Sequence, residues 1–444
     1  MVDMSASLLH HGHIRLLKRA KELGYVIVAL TTDEEIEKHK GYKPELNYEF
    51  RKELLLALRS VDEVVPSNWL LDQEFVKEHK IDLLFHGDDN SNQVEQIRTF
   101  ARTPDISSNL IRERAMASLV MLANSKKCLL TPGPSNLHTE NVFGIHPVFT
   151  RGDSEYDSIQ IDVLDKIRRR AGQDSIVCMQ GSATTAIEVA TSNFLYGKVL
   201  AVASGYYSDR IIMMLKRKAQ RLQLTDLIAI TYDEFIEQRQ SLSGFDWIVA
   251  VSTETADAFL CDLKELKHAA DRMQARLMID ATGSINLEDD HELADVCMFS
   301  SCKGLGGLTG AGFITYNKEL LSRLNPHAKE FVLDLSTYIE KKTTGPAHCL
   351  LSMHLICDRF AELGQRVRES KAIFVEKFRA HLVRQTNQPA LCTKFKADSV
   401  KVPAGTVLYQ PRSIEPGAHV ICHLFDQFPA NRSVGQFYDS VVIE

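Results

Sequence analysis

Over the first hundred residues the apolar positions switch between two periods. At residues 14–23 they recur at helical spacing and stop at Gly24, which predicts a helix with a glycine end. Residues 25–30 form a short unbroken apolar run and predict a strand. Helical spacing returns at 50–59, residues 61–65 read as a strand, and residues 81–85 as a buried one. Alternation of this kind predicts a parallel sheet with helices on its faces. Residues 110–127 predict a helix charged at both ends, by Arg112, Glu113 and Arg114 and then by Lys126 and Lys127, that also serves as a linker. After the turn-rich Thr131-Pro132-Gly133-Pro134, strands are expected at 175–179, 199–203, 247–251, 277–279 and 296–299. The boundary is placed near residue 125, giving an α/β domain over 1–124 and a second over 125–444.

Composition narrows the function classes. The 444 residues are 44% hydrophobic and 25% charged, ordinary for a globular protein of two or three domains. A net charge of −6 offers no basic surplus for a nucleic-acid partner. No apolar run approaches the ~20 residues that span a bilayer. The start, Met1-Val2-Asp3-Met4, lacks the basic and apolar regions of a signal peptide. A cytoplasmic protein with no membrane partner is therefore expected. The nine cysteines are scattered, odd in number and without a C-x-x-C pair, so reduced thiols are expected, with no disulfide frame and no metal site.

Two stretches of the first domain suit phosphate. His10-His11-Gly12-His13 opens a helix, where unpaired N–H groups and a partial positive charge favour anions and Gly12 lets backbone approach a ligand. Arg102-Thr103-Pro104-Asp105-Ile106-Ser107-Ser108 precedes another helix and supplies a guanidinium and hydroxyls. Taken singly, each also fits an ordinary helix cap.

Together, and with what lies between them, they resemble the HxGH cytidylyltransferases, above all those acting on glycerol 3-phosphate and those of phosphonate pathways. Thr31-Thr32-Asp33-Glu34 resembles the family's STDE, Arg51 with Val61-Asp62-Glu63-Val64 its R…VDEV, and Gly87-Asp88-Asp89 its GDDW, with Asn90 for the Trp. Residues 102–108 resemble RTxGISST, with Asp105 for the Gly. The resemblance implies a Rossmann-like nucleotidylyltransferase domain that binds CTP, with Mg2+ accompanying it, and in-line attack of a phosphate or phosphonate oxygen on the α-phosphorus. It implies that His10 and His13 act catalytically on the phosphates. Arg102, Thr103, Ile106, Ser107, Ser108 and Asp88 would complete the nucleotide site, and Lys38 or Lys40 would steady the transferring group. Ser7 stands where many members carry Asp.

In the second domain, Ser300-Ser301-Cys302-Lys303-Gly304 follows a predicted strand and leads into a glycine-rich stretch. A lysine amine there can hold pyridoxal 5'-phosphate (PLP) covalently. Asp280 ends another predicted strand, where a carboxylate can keep a pyridine nitrogen protonated. Gly181-Ser182-Ala183-Thr184 opens a helix suited to a cofactor phosphate, and Tyr207 can stack on a ring. Jointly these residues resemble a class V aminotransferase, most of all the 2-aminoethylphosphonate–pyruvate transaminases. Residues 130–134 match LTPGP, Glu254-Thr255 matches ETTTG, and Thr344-Gly345-Pro346 matches TPP.

The resemblance implies a fold-type I PLP-dependent transferase. Its catalytic residue would be Lys303, and its cofactor would rest on Ser182, Ala183, Thr184, Tyr207, Thr255, Asp280 and Ser300. Thr344 would reach the cofactor phosphate of a neighbouring subunit, which implies a homodimer. Ser252 stands where relatives often have His. A small-domain segment whose arginine binds the substrate carboxylate is expected to be missing, so the small domain reads as truncated and the transaminase as weak, unless Arg412 or Arg432 substitutes.

The joint expectation is an enzyme of phosphonate metabolism. Phosphonoacetaldehyde and alanine would give 2-aminoethylphosphonate and pyruvate, and CTP would then activate the phosphonate. One alternative keeps both chemistries and makes serinol phosphate from dihydroxyacetone phosphate. Another is a truncated relative that holds PLP and nucleotide without turnover.

Overall fold

A computed structural model describes residues 1–87, 92–327, 330–424 and 433–444. The chain divides into two compact units, residues 1–119 and 120–444.

The first unit runs β1 (Val2–Met4), α1 (His11–Lys21), β2 (Ile27–Thr31), α2 (Asp33–Lys40), α3 (Tyr48–Leu56), β3 (Glu63–Ser67), α4 (Gln73–Glu78), β4 (Leu84–Gly87) and β5 (Ile97–Phe100). The helix α5 (Ser108–Asn124) continues past its boundary. The sheet order is β3-β2-β1-β4-β5, and every pairing is parallel. This is the parallel sheet that the alternation predicts and the Rossmann-like arrangement that the resemblance implies. The order reverses between β1 and β4, so a crevice opens where their carboxyl ends diverge. The central strand β1 escaped the sequence reading because it is three residues long, too short to show a period. The predicted helix at 14–23 lies at 11–21, since His10 caps it earlier, and the strand expected at 61–65 lies at 63–67.

Arg51 ties the carboxyl ends of β1 and β2 together. Its buried guanidinium donates to the Ser5 carbonyl, to Thr31 O at 2.9 Å and to Asp33 Oδ1 at 2.6 Å. A buried arginine so satisfied fixes the chain entering α1.

The second unit continues with β6 (Cys128–Leu130), α6 (Thr139–Gly144), α7 (Ser154–Ala171), β7 (Ser175–Gln180), α8 (Ala183–Phe194), β8 (Lys198–Ala203), α9 (Tyr206–Lys218), β9 (Asp226–Thr231), α10 (Tyr232–Gln238) and β10 (Trp247–Val251). Next come the short pair β11 (Thr253–Glu254) and β12 (Phe259–Leu260), α11 (Leu263–Met273), β13 (Arg276–Asp280), β14 (Val296–Ser300), β15 (Ala311–Tyr316), α12 (Leu335–Ile339), α13 (Ala347–His354) and α14 (Phe360–Lys377). A smaller module ends the chain with β16 (Cys392–Lys396), β17 (Val400–Lys401), β18 (Thr406–Leu408), β19 (Ala418–Cys422), α15 (Val434–Asp439) and β20 (Val442–Ile443).

The seven-stranded sheet runs β7-β15-β14-β13-β10-β8-β9. Only β15 is antiparallel to its neighbours. Two apolar layers cover its faces, one centred on Leu277, Ile279 and Phe299 and the other on Val249, Met278 and Met298. All five strands the sequence predicted here are present. The fully buried β15 and the more exposed β9 had not been recognised.

The terminal module is folded. β16 pairs with β19, and β18 pairs with β6. Tyr438, fully buried, hydrogen-bonds His423 Nδ1 at 2.8 Å and Ser370 on α14 at 3.2 Å. No disulfide links any of the nine cysteines. Among the described residues, no helix is long and apolar enough to cross a membrane.

Candidate functional sites

The first unit contains a cleft of about 630 Å³ at the reversal point. Its walls come from the end of β1 (Met4, Ser5), the end of β2 (Thr31), the end of β4 (His86, Gly87) and the starts of α1 and α5. His10 and His13 both line it, with ring centroids 3.9 Å apart. The Gly12 N–H donates to His10 Nδ1 at 3.2 Å, and the His10 N–H donates to His13 Nδ1 at 3.3 Å. Each Nδ1 therefore carries the lone pair, which leaves Nε2–H as the ring's donor. Burial, then the neighbouring charge of His10 and the cations Lys40 and Arg102, pushes His13 down to about 3. Burial, His11 and Arg102 lower His10 as well. At neutral pH the pair is uncharged and donates. A Cβ at position 12 would stand 3.0 Å from the His10 ring, so glycine is what lets the two rings close.

Opposite them, Arg102, Thr103, Ile106, Ser107 and Ser108 also line the cleft. Ser107 Oγ accepts the Leu110 N–H at 3.1 Å, capping α5. Asp105 has φ +59°, the left-handed conformation in which Asp can stand for Gly. Lys40 lines the cleft, with Nζ 2.8 Å from Ser5 Oγ. Lys38 instead pairs with Glu35 at 3.1 Å on the exposed side of α2. Asp88 lies outside the described residues. Ser7 is buried, with no partner for its hydroxyl among the described residues, and is not a wall residue.

Sequence reasoning missed Trp69 and Asp3. Trp69 lines the cleft, stacked on His39 at 5.1 Å with Lys40 Nζ 5.4 Å from its ring. One of only two tryptophans in the chain, in the short segment between a predicted strand and the next helix, was the available signal. Asp3 is buried beneath the cleft, accepts from Asn92 at 2.7 Å, and is held above the usual carboxylate range by burial.

In the second unit the predicted residues gather at the carboxyl edge of the large sheet. Asp280 ends β13 and is nearly buried, one of its oxygens accepting the Thr282 N–H at 2.9 Å. Ser300 ends β14. Lys303 follows it, with Nζ 5.7 Å from the Tyr207 ring centre. Gly133 lies against this lysine, and a Cβ there would be 3.0 Å from both Lys303 Cγ and Cys302 O.

Ser182, Ala183 and Thr184 form the start of α8, where Ser182 Oγ accepts the Thr184 N–H at 3.2 Å. Arg210 donates to Thr184 Oγ1 at 3.2 Å and lies 5.3 Å from the Tyr207 ring. Glu254 is fully buried and accepts the N–H groups of Tyr207 at 2.8 Å, Ser208 at 3.2 Å and Ala256 at 3.3 Å. Burial pushes its carboxyl up to about 7, Asp280 adds to the rise, and those hydrogen bonds oppose it. Glu254 thus sets the position of Tyr207 by holding the start of α9. Thr344 is exposed in the loop before α13, where the Gly345 carbonyl accepts from Gln180 Nε2 at 3.2 Å.

A flat, phosphorylated pyridine fits this edge on one observation in particular. The hydroxyls of Ser252, Thr253, Thr255 and Thr282 and Arg210 Nε are buried without a partner among the described residues. Buried polar atoms are rarely left so, and a bound group would satisfy them.

The comparisons with known proteins agree with the geometry. A family model described as cytidylyltransferase-like matches residues 5–114. The glycerol-3-phosphate cytidylyltransferase of Bacillus subtilis is 41% identical over 115 residues, covering 24% of this chain and 88% of that protein. The 2-aminoethylphosphonate–pyruvate transaminase of Cupriavidus necator is 27% identical over 273 residues, covering 56% of this chain and 72% of that protein. Among solved structures, the pyridoxamine–pyruvate aminotransferase of Mesorhizobium loti superposes with a TM-score of 0.60 at 16% identity, over 70% of this chain and 95% of that one. The chain belongs to the cytidylyltransferase-like family through its first unit, and its second unit has the fold of the PLP-dependent aminotransferases. It is a fusion of two transferase-like units.

Proposed function

We propose that the chain is a bifunctional enzyme of phosphonate metabolism. Its second unit exchanges the amino group between 2-aminoethylphosphonate and pyruvate, or in reverse between alanine and phosphonoacetaldehyde. Its first unit transfers a cytidylyl group from CTP to the phosphonate. The observation that carries this reading is the presence of two sites in one chain: a neutral histidine pair at a helix start, and a lysine facing a tyrosine at a sheet's carboxyl edge. The two named relatives support the substrates, since one acts on a phosphorylated acceptor and the other on 2-aminoethylphosphonate.

In the first unit, an acceptor oxygen attacks the α-phosphorus, the bond to the β-phosphate oxygen breaks, and pyrophosphate leaves. The Nε2–H groups of His10 and His13 donate to phosphate oxygens as charge moves onto the leaving group. Uncharged donors held in place this way favour the transition state without reorganising. Arg102 and the start of α5 hold the phosphates, and Lys40 steadies the transferring group. No cluster of three or more His, Cys, Asp or Glu side chains able to hold a metal occurs among the described residues. Mg2+ would accompany the triphosphate, as the resemblance to the cytidylyltransferases implies.

In the second unit, PLP would supply an electron sink for breaking the bond to the substrate's α-hydrogen. Lys303 is the residue to anchor the cofactor and to move the proton at its Nζ. Asp280 would hold the proton on the pyridine nitrogen, and Tyr207 would cover a ring face. Ser182, Ala183, Thr184, Thr255 and Ser300 would hold the phosphate end, and a second copy would bring its Thr344 to that phosphate in a homodimer.

The acceptor assignment is tested by pyrophosphate release from CTP with 2-aminoethylphosphonate, glycerol 3-phosphate or serinol phosphate. The expected order places 2-aminoethylphosphonate first. A clear preference for either phosphate ester overturns the phosphonate assignment.

A further inference from the structure

Transamination needs a cation for the anionic group of its substrate, and the second unit offers one from an unexpected segment. β18 pairs in parallel with β6, with Leu408 opposite Leu130, and the Tyr409 N–H donates to Leu130 O at 3.2 Å. Residues 406–409 therefore run beside residues 128–130, and Gly133, three residues further along that segment, lies against Lys303. Arg412 follows Tyr409 by three residues. Its Nη1 donates to the Tyr206 hydroxyl at 3.0 Å, and its guanidinium lies 5.7 Å from that ring's centre. Tyr206 meets Tyr207 edge-on at 5.2 Å, and Lys303 Nζ faces the Tyr207 ring.

Arg412 is exposed, and the hydrogen-bond partner it shows is a phenol. Arg221, Arg239, Arg276, Arg359 and Arg384 of this unit are all paired with carboxylates. Arg412 has no acidic partner among the described residues, and a phenol does not neutralise it. Five N–H donors in a planar fork, with one spent on Tyr206, leave a bidentate face for a carboxylate or phosphonate. Arg210 is the other arginine at this tyrosine pair; one of its terminal nitrogens donates to Thr184 beside the start of α8, and its buried Nε is directed to the cofactor end of the site.

We propose that Arg412, steadied by Tyr206, binds the anionic group of the amino substrate in the aminotransferase-like unit. The ligand is a short-chain amine bearing a carboxylate or a phosphonate. This rests on the aminotransferase reading above.

The test uses the full chain with PLP and the variants Arg412→Ala, Arg412→Lys and Tyr206→Phe. Calorimetry gives Kd for alanine and for 2-aminoethylphosphonate separately, and steady-state rates give KM and kcat. Losing a charge-assisted pair of about 1.5–3 kcal/mol corresponds to a rise of about 10-fold or more in Kd for Arg412→Ala. A matching rise in KM is expected, with kcat little changed and the PLP absorption band intact. Arg412→Lys should fall between, keeping the charge and losing the fork, and Tyr206→Phe should show a smaller rise. The anion whose Kd moves identifies the group that Arg412 holds. Intact PLP binding with both Kd values within about twofold of the unaltered protein overturns the proposal alone. An unaltered protein that binds no PLP overturns the aminotransferase reading and the proposal with it.

Discussion

Lys303 Nζ lies 5.7 Å from the centre of the Tyr207 ring, and neither residue reaches that position by its own segment's preference. Tyr207 is set by Glu254, which accepts its backbone N–H, and Lys303 by the glycine at 133 that lets its stem pass. The relationship joins residues 133, 207, 254 and 303 around one point at the sheet's carboxyl edge.

Lys303→Ala is expected to abolish the visible PLP band and transamination, and to leave pyrophosphate release from CTP within about twofold of the unaltered protein. Borohydride reduction followed by peptide mapping checks the anchor. Labelling of a different lysine removes Lys303 from that role.

His10→Ala and His13→Ala are each expected to slow pyrophosphate release by about 100-fold or more, the usual scale for losing a donor that acts in the transition state. Gly12→Ala should also slow it, because its Cβ would press on the His10 ring. All three should keep the PLP spectrum. Full turnover in both histidine variants rules out their phosphate role.

Gly205→Ala tests the support of Tyr207. Gly205 has φ +152°, and a Cβ there would stand 2.5 Å from Glu254 Cγ. A loss of about 1–3 kcal/mol in unfolding free energy is expected, together with weaker PLP binding. Both are measurable by denaturant titration with PLP present. Unchanged stability and cofactor affinity would show that Glu254 does not hold the start of α9 as described.

Stability should fall on acidification below neutrality. Burial holds His13 and His423 near 3 and His291 near 4 in the folded chain. Each binds its proton more readily unfolded, so its stabilising contribution is present above about 6.5 and is lost as pH falls through that range. Glu254, raised to about 7, acts with the opposite sign, stabilising at low pH and losing that contribution as pH rises towards 7. Three lowered histidines outweigh it. The thermal midpoint should drop from pH 7 to pH 5, and the drop should be smaller in His291→Gln. A midpoint that rises over this interval contradicts the sign.

Much of the fold was legible where periodicity is long or chemistry is ordered along the chain. The strands holding Asp280 and Ser300 are apolar runs ending in polar residues, and the His10-to-Ser108 series kept its order. Other parts could not be seen. β1 is too short for a period. Lys38 and Lys40 are two apart on α2 and so cannot share a face, and only the fold shows that Lys40 is the one in the cleft. Trp69 depends on a loop's path. Arg412 reaches Tyr206 only because β18 pairs with β6 across more than 270 residues of sequence, a register that no local pattern encodes.

The central claim is that one chain both makes and activates an aminophosphonate. It is tested most directly by incubating the purified full chain with phosphonoacetaldehyde, alanine, CTP, Mg2+ and PLP, and following phosphorus NMR over time. The expected result is a 2-aminoethylphosphonate signal that rises first and then gives way to a phosphonate–CMP conjugate, with pyrophosphate released in equal amount to the conjugate. Pyrophosphate and conjugate absent even when 2-aminoethylphosphonate is supplied directly, or no amine formed from the aldehyde, would contradict it.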